Sequence, residues 1–311
     1  MTRRSFLAAT AAAPLAAQSS KPITDSTHLR LLETRWVNPP APGQLPVGVS
    51  HHTRRSKALG KDVGYCVYLP PNYERSPGQR YPVIYNLHGA GGNELHGFEE
   101  ARALEKGIRD GRWPEMILVM PNGGKTTFYK DSFDGKWPAE TMMIREMIPH
   151  IDATLRTIPE RAGRCIEGFS MGGRGSTRLA MKYPELFCSL FNEAGNVPHT
   201  SLNYDPSKPE AYPNFYLGPD KQNYIDNDVF LLIERNLAEI KKMRIQIWCG
   251  TLDDGHIGTV RGYHQALLDH GVDHTYMEVE GLAHERTKMI ARYETIWYDY
   301  HVESLRRAGS V

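Results

Sequence analysis

The sequence predicts an α/β fold, a mostly parallel sheet with helices on both faces, and three observations carry that reading. Short runs rich in Val, Ile, Tyr and Leu are bounded by Gly, Pro or Asn, as strands are. Stretches with helical spacing of apolar residues lie between them, and strand-then-helix alternation implies parallel strands joined by helical crossovers. No internal repeat or low-complexity segment interrupts the alternation, so one domain is expected.

The elements follow in order. Residues 47–57 and 63–69 read as strands with no helix between them, so they are expected to pair antiparallel at one edge. Further strands are predicted near 82–87, 116–120, 163–167, 186–191, 244–249 and 274–279. Helices are predicted near 98–109, 139–156, 173–183, 227–241, 259–270 and 286–305. One stretch, 197–227, carries five prolines (Pro198, Pro206, Pro209, Pro213, Pro219) and the aromatics Tyr204, Tyr212, Phe215, Tyr216 and Tyr224. A loop this long is either a lid or binding loop, with Tyr212, Phe215 and Tyr216 as substrate-binding candidates, or a segment pinned by its own apolar cluster.

Composition bounds the function. The 311 residues carry 37 Lys+Arg against 36 Asp+Glu, a formal charge of +1, with no basic stripe, so no nucleic-acid partner is expected. Residues 1–17 have the layout of an export signal, and Thr2-Arg3-Arg4-Ser5-Phe6-Leu7 resembles a bacterial twin-arginine address. Removing it takes two arginines and leaves a formal charge of −1. The expected arrangement is signal 1–17, an N-terminal extension 18–46 and a catalytic domain 47–311, located in the periplasm or outside the cell. No later apolar run reaches membrane-spanning length, so no membrane contact is expected after signal removal. Cys66, Cys165, Cys188 and Cys249 show no metal-ligand spacing and read as buried, reduced thiols.

Four strand ends carry the chemistry. Gly168-Phe169-Ser170-Met171-Gly172 matches G-x-S-x-G between a strand and a helix, the context in which a sharp turn exposes a nucleophilic serine. Leu87-His88-Gly89-Ala90-Gly91-Gly92 is a glycine-rich turn after the strand at 82–87. Its Ala90 amide, with that of Met171, would form an oxyanion hole. Downstream, Gly250-Thr251-Leu252-Asp253-Asp254 offers an acid and Gly281-Leu282-Ala283-His284 a base, giving the order Ser, Asp, His. Asp253 and Asp254 compete for the acid role, with Glu193 a third candidate. The remaining histidines, including His51, His52 and His256, lack this context and are expected at the surface or the pocket rim.

Taken with VYLPPNY at 67–73 and YPVIYNLHG at 81–89, these motifs resemble the putative-esterase family of α/β-hydrolases, feruloyl and acetyl-xylan esterases among its members. The resemblance runs from about residue 47 to about 300. It implies an α/β-hydrolase fold and a serine ester hydrolase with Ser170 as nucleophile, His284 as base, Ala90 in the oxyanion loop and Asp253 rather than Asp254 as acid. No metal or organic cofactor is implied, and the expected partner is a small-molecule or carbohydrate ester. Glu167 and Asn192-Glu193 depart from the family pattern near the pocket, which bears on substrate choice. An acyltransferase would share every motif. A non-catalytic carbohydrate-binding protein would be expected to have lost a triad residue, and a serine peptidase often carries a separate N-terminal domain.

Overall fold

The computed structural model describes residues 32–208 and 214–311. The twin-arginine signal and Tyr212 lie outside the described residues. Eight strands form one sheet in the order β1-β2-β4-β3-β5-β6-β7-β8. They are β1 (Val49–Ser56), β2 (Lys61–Tyr68), β3 (Val83–Leu87), β4 (Ile117–Pro121), β5 (Arg164–Phe169), β6 (Ser189–Glu193), β7 (Arg244–Gly250) and β8 (His274–Val279). β1 pairs antiparallel with β2, and β2 antiparallel with β4; every other pairing is parallel. The antiparallel edge and the mostly parallel sheet follow the sequence expectation.

The central strands β3, β4 and β6 are buried along their whole length, as parallel strands covered on both faces must be. The covering helices are α1 (Phe98–Arg109), α2 (the run Ala139–Thr141, Met142–Met147, Ile148–Thr154), α3 (Met171–Lys182), α4 (Val229–Ile240), α5 (Ile257–Asp269), α6 (Arg286–Tyr293) and α7 (Asp299–Arg307). The middle of α2 is a π-helical turn in which the Ile148 amide bonds the Met143 carbonyl, five residues back. The next residue is Pro149, which has no N–H and crowds the preceding turn, and the wider turn accommodates it.

Two sequence expectations need correction. The helix expected over 286–305 is two helices, because the chain turns through Glu294–Ile296 and drives Trp297 and Tyr298 into the core, both fully buried. The strand expected at 186–191 starts later, after a short 3₁₀ turn at Pro184–Leu186. The four cysteines are free and buried. The N-terminal segment packs onto the domain before β1: Trp36 is buried, and Glu94 accepts hydrogen bonds from the Asn38 amide (2.6 Å) and side chain (3.0 Å).

Candidate active site

Ala90, Ser170, Asp253 and His284 follow the C-terminal ends of four parallel strands, where open α/β sheets place their ligands. Ser170 comes directly after β5 and caps α3 with φ 57° and ψ −117°. A non-glycine residue held there stores about 1–3 kcal/mol of strain, which the surrounding packing must offset. The packing is tight enough to impose the turn. A Cβ on Gly172 would stand 1.8 Å from the Leu87 carbonyl oxygen, and one on Gly168 would meet Gly172 and Leu87 backbone at 2.6 Å. The Ser170 amide donates to the Glu193 carbonyl (2.8 Å), tying the elbow to β6.

Opposite the elbow, the β7 and β8 loops are locked together. The Leu252 amide donates to the Leu282 carbonyl (2.9 Å), the Thr251 amide to Val279 (3.0 Å) and the Gly281 amide to Thr251 Oγ1 (2.9 Å). Gly250 permits this approach, since a Cβ there would sit 2.1 Å from the Leu282 oxygen. The result is a hydrogen-bonded chain. His284 Nδ1 lies 2.6 Å from Asp253 Oδ2, and His284 Nε2 lies 2.8 Å from Ser170 Oγ. A carboxylate only accepts, so Nδ1 carries the proton and Nε2 is left to accept from the serine hydroxyl. Asp253 is 3% exposed, whereas Asp254 is exposed and Glu193 makes no hydrogen bond to His284.

The loop expected to hold the oxyanion is built around His88. Its Nδ1–H donates to the Gly89 carbonyl (2.9 Å) while Nε2 accepts from the Gly123 amide (3.0 Å). Burial lowers its pKa to about 4, so the ring stays neutral and both bonds persist across the physiological range. Ala90 is exposed at the loop tip, and the Met171 amide lies in the first turn of α3, where N–H groups have no intrahelical acceptor. A cavity of about 430 Å³ opens beside Ala90 and Ser170, lined also by Gly89, Phe169, His284 and Arg286. Arg286 is held in its wall by Glu100 (3.0 Å) and Glu99 (3.2 Å).

Two features escaped the sequence reading. His256 is not a rim residue: its Nδ1 lies 2.8 Å from Asp253 Oδ1, and its ring stacks flat on His284 at 4.1 Å and 6°. The spacing Asp253-x-x-His256 at a helix start was the available signal, because it brings the two side chains together across one turn. Behind Ser170, Glu100, Glu167 and Glu193 form a buried acidic cluster. Glu167 is satisfied by Asn86 (2.8 Å) and His301 (3.2 Å), but among the described residues neither Glu193 oxygen has a partner. Burial, then Glu167 and Glu100, hold the Glu193 pKa well above the carboxylate range; burial raises Glu100 to about 7.

The substrate-binding expectation for Tyr216 is corrected. Its ring is fully buried and its hydroxyl donates to the carbonyls of Lys130 (2.5 Å) and Trp137 (3.0 Å). Phe215 is partly buried against the core, and Tyr204 and Tyr224 pack edge to face at 5.0 Å. The described part of 197–227 is therefore pinned by its own aromatics, and Tyr216 has no face to offer a ligand.

Asp253, His256 and His284 also present three metal-capable ligand atoms within 4.8 Å of one another. The two imidazole planes are nearly parallel, however, so their in-plane lone pairs run side by side instead of converging. The set suits a carboxylate bridging two imidazole N–H groups better than a tetrahedral ion.

Known proteins share this fold. A ferulic acid esterase structure superposes with a TM-score of 0.68 over 83% of this chain and 98% of its own, at 24% identity, which fixes the α/β-hydrolase fold. Esterase Rv1288 of Mycobacterium tuberculosis is 38% identical over 146 residues, 45% of this chain and 31% of the relative. An endo-1,4-beta-xylanase/feruloyl esterase of Xylanibacter ruminicola is 34% identical over 141 residues, 42% of this chain and 19% of the relative. The chain thus spans about a third or less of the length of these curated relatives. The family model described as Putative esterase matches residues 56–287, from the end of β1 to the start of α6, and the chain belongs to that family.

Proposed function

We propose that this protein is an exported serine carboxylic-ester hydrolase that works through an acyl-enzyme on Ser170. The observation that carries the reading is the chain Ser170 Oγ, His284 Nε2, His284 Nδ1, Asp253 Oδ2, with contacts of 2.8 and 2.6 Å, beside an open cavity. Ser170 attacks the ester carbonyl as His284 takes its proton, and Asp253 holds the imidazole in the Nδ1–H tautomer and stabilises the imidazolium. The carbonyl oxygen, now negative, is met by the Ala90 and Met171 amides. The alcohol departs with the proton from His284. Water, deprotonated by the same imidazole, then releases the acid and restores Ser170. No step calls for a metal or organic cofactor.

The names of the relatives favour acyl or feruloyl esters of carbohydrate as substrates, and the signal-like Arg3-Arg4 block supports export. The test uses acetyl, longer-chain acyl and feruloyl esters with the mature protein, alongside labelling by a fluorophosphonate. Hydrolysis of at least one ester, with the label on Ser170 and both lost in Ser170→Ala, is the expected result. A label on another residue, or an unlabelled protein that hydrolyses none of them, overturns the reading. Transfer to an added sugar in place of hydrolysis would identify an acyltransferase.

A further inference from the structure

We propose that His256 is a positioning residue of the reaction: it holds Asp253 by the second carboxylate oxygen and limits how much of that negative charge reaches His284. The inference rests on the Ser170, His284 and Asp253 assignment above. Its observations are separate. Asp253 Oδ1 faces His256 Nδ1 at 2.8 Å while Oδ2 faces His284 Nδ1 at 2.6 Å. Both imidazoles therefore donate to one nearly buried carboxylate, and each oxygen has its own partner. His284 packs against two rings, flat on His256 at 4.1 Å and tilted by 33° to Phe169 at 4.6 Å. These neighbours restrict its swing and help keep Nε2 aimed at Ser170, 2.8 Å away.

The placement of His256 is itself fixed. It caps α5, its amide donates to the Asp253 carbonyl (3.0 Å) and its own carbonyl accepts from Thr259 Oγ1 (3.0 Å). Thr259 Oγ1 in turn accepts from the Val197 amide (3.1 Å), anchoring the turn to the start of the 197–227 loop. The charged and titratable groups facing the ring are Asp253 on the β7 loop, His284 on the β8 loop and Arg174 on α3. Burial first, with His284 and Arg174, lowers the His256 pKa, against the pull of Asp253. A neutral His256 matters here, because two imidazolium rings stacked at 4.1 Å would repel each other just as His284 takes the serine proton.

Three variants separate the roles. His256→Asn keeps an N–H donor at the position of Nδ1 and removes the ring; His256→Phe keeps the ring and removes the donor; His256→Ala removes both. Without the donor, the whole Asp253 charge falls on His284, so its imidazolium is favoured and the acid limb of kcat/KM moves to higher pH by about half a unit. Loss of a hydrogen bond to a charged group should lower kcat about tenfold in the Phe and Ala variants, with the Asn variant keeping roughly a third or more. The His284 titration, followed by NMR in the Ser170→Ala background, should move in the same direction for Phe and Ala and stay nearer the parent for Asn. A shifted His284 titration supports the proposal even if no ester is hydrolysed, in which case the reading of Ser170 fails instead. An unmoved titration in all three variants overturns it, as does an equal loss in Asn and Phe.

Discussion

Two buried carboxylates at neighbouring strand ends, Asp253 after β7 and Glu193 at the end of β6, meet opposite fates. Asp253 accepts from two imidazoles, one on each oxygen, with a lid of protein that leaves it 3% exposed. Glu193 is fully buried with neither oxygen bonded, and it faces two further carboxylates, Glu167 and Glu100. Burial alone therefore does not make a catalytic acid; donors do. The side chain with N–H partners can carry charge and direct a base, while the one without them keeps its proton and fills space. The same contrast supports the proposal of Asp253 over Glu193 as the acid, since His284 bonds Asp253.

The largest effect should come from converting the first carboxylate into an amide. Asp253→Asn offers His284 an N–H or a neutral oxygen, which permits the wrong tautomer; the same change in a serine protease triad costs on the order of 10⁴ in kcat. A loss of several orders of magnitude is expected here, against about tenfold or less for Asp254→Asn, whose side chain is exposed. Steady-state kinetics on any hydrolysed ester checks both. If the two variants exchange places, Asp254 is the acid.

A second way to break the comparison is to move the nucleophile and leave the carboxylates alone. Gly172→Ala places a methyl 1.8 Å from the Leu87 backbone oxygen, which cannot turn aside as a flexible side chain would, so the elbow must shift or the chain fails to fold. The expected outcome is loss of fluorophosphonate labelling at Ser170, with a drop in Tm read by calorimetry. Full labelling at unchanged Tm would mean that the strand spacing at the elbow is looser than described.

What the sequence made legible was local. Each residue of the proposed site sits one to five residues past a strand, within a turn whose glycines advertise it, so Ser170, Ala90, Asp253 and His284 could be singled out before any tertiary contact was known. His256 belongs to the same local turn, yet its meaning depends on His284, which arrives from another strand 28 positions later. Tyr216 shows the converse. An aromatic in a proline-rich loop has the same sequence signature whether it lines a pocket or plugs the core, and its hydroxyl contacts with Lys130 and Trp137 decide for the core. The break at Glu294–Ile296 was hidden because helical spacing continues on both sides of it, and only the burial of Trp297 and Tyr298 reveals the turn. The acidic cluster was visible as two departures, Glu167 and Glu193, but not as a cluster, because Glu100 comes from a helix on a different part of the chain.

The smallest effect sharpens the comparison from the side of Glu193. Glu193→Gln keeps the shape of the protonated acid and removes its ability to ionise, so activity should stay within about threefold of the parent if donors, not burial, define the acid. Stability should change with pH. The folded-state pKa of Glu193 is raised, so its contribution to stability is fully present below the unfolded value near 4.5 and is lost as pH rises toward the folded one. Glu100, raised to about 7 by the same burial, adds to this loss between about pH 4.5 and 7. The parent should therefore have a lower Tm at pH 8 than at pH 5 wherever these groups dominate. The Gln variant should come closest to the parent at the lower pH, where the folded acid is protonated, and exceed it at pH 8 by about 2–4 °C for each kcal/mol recovered. Thermal unfolding at the two pH values reads the difference directly. Equal Tm values for parent and variant at pH 8 would show that Glu193 ionises there without cost, and that a buried carboxylate beside the nucleophile has found a partner.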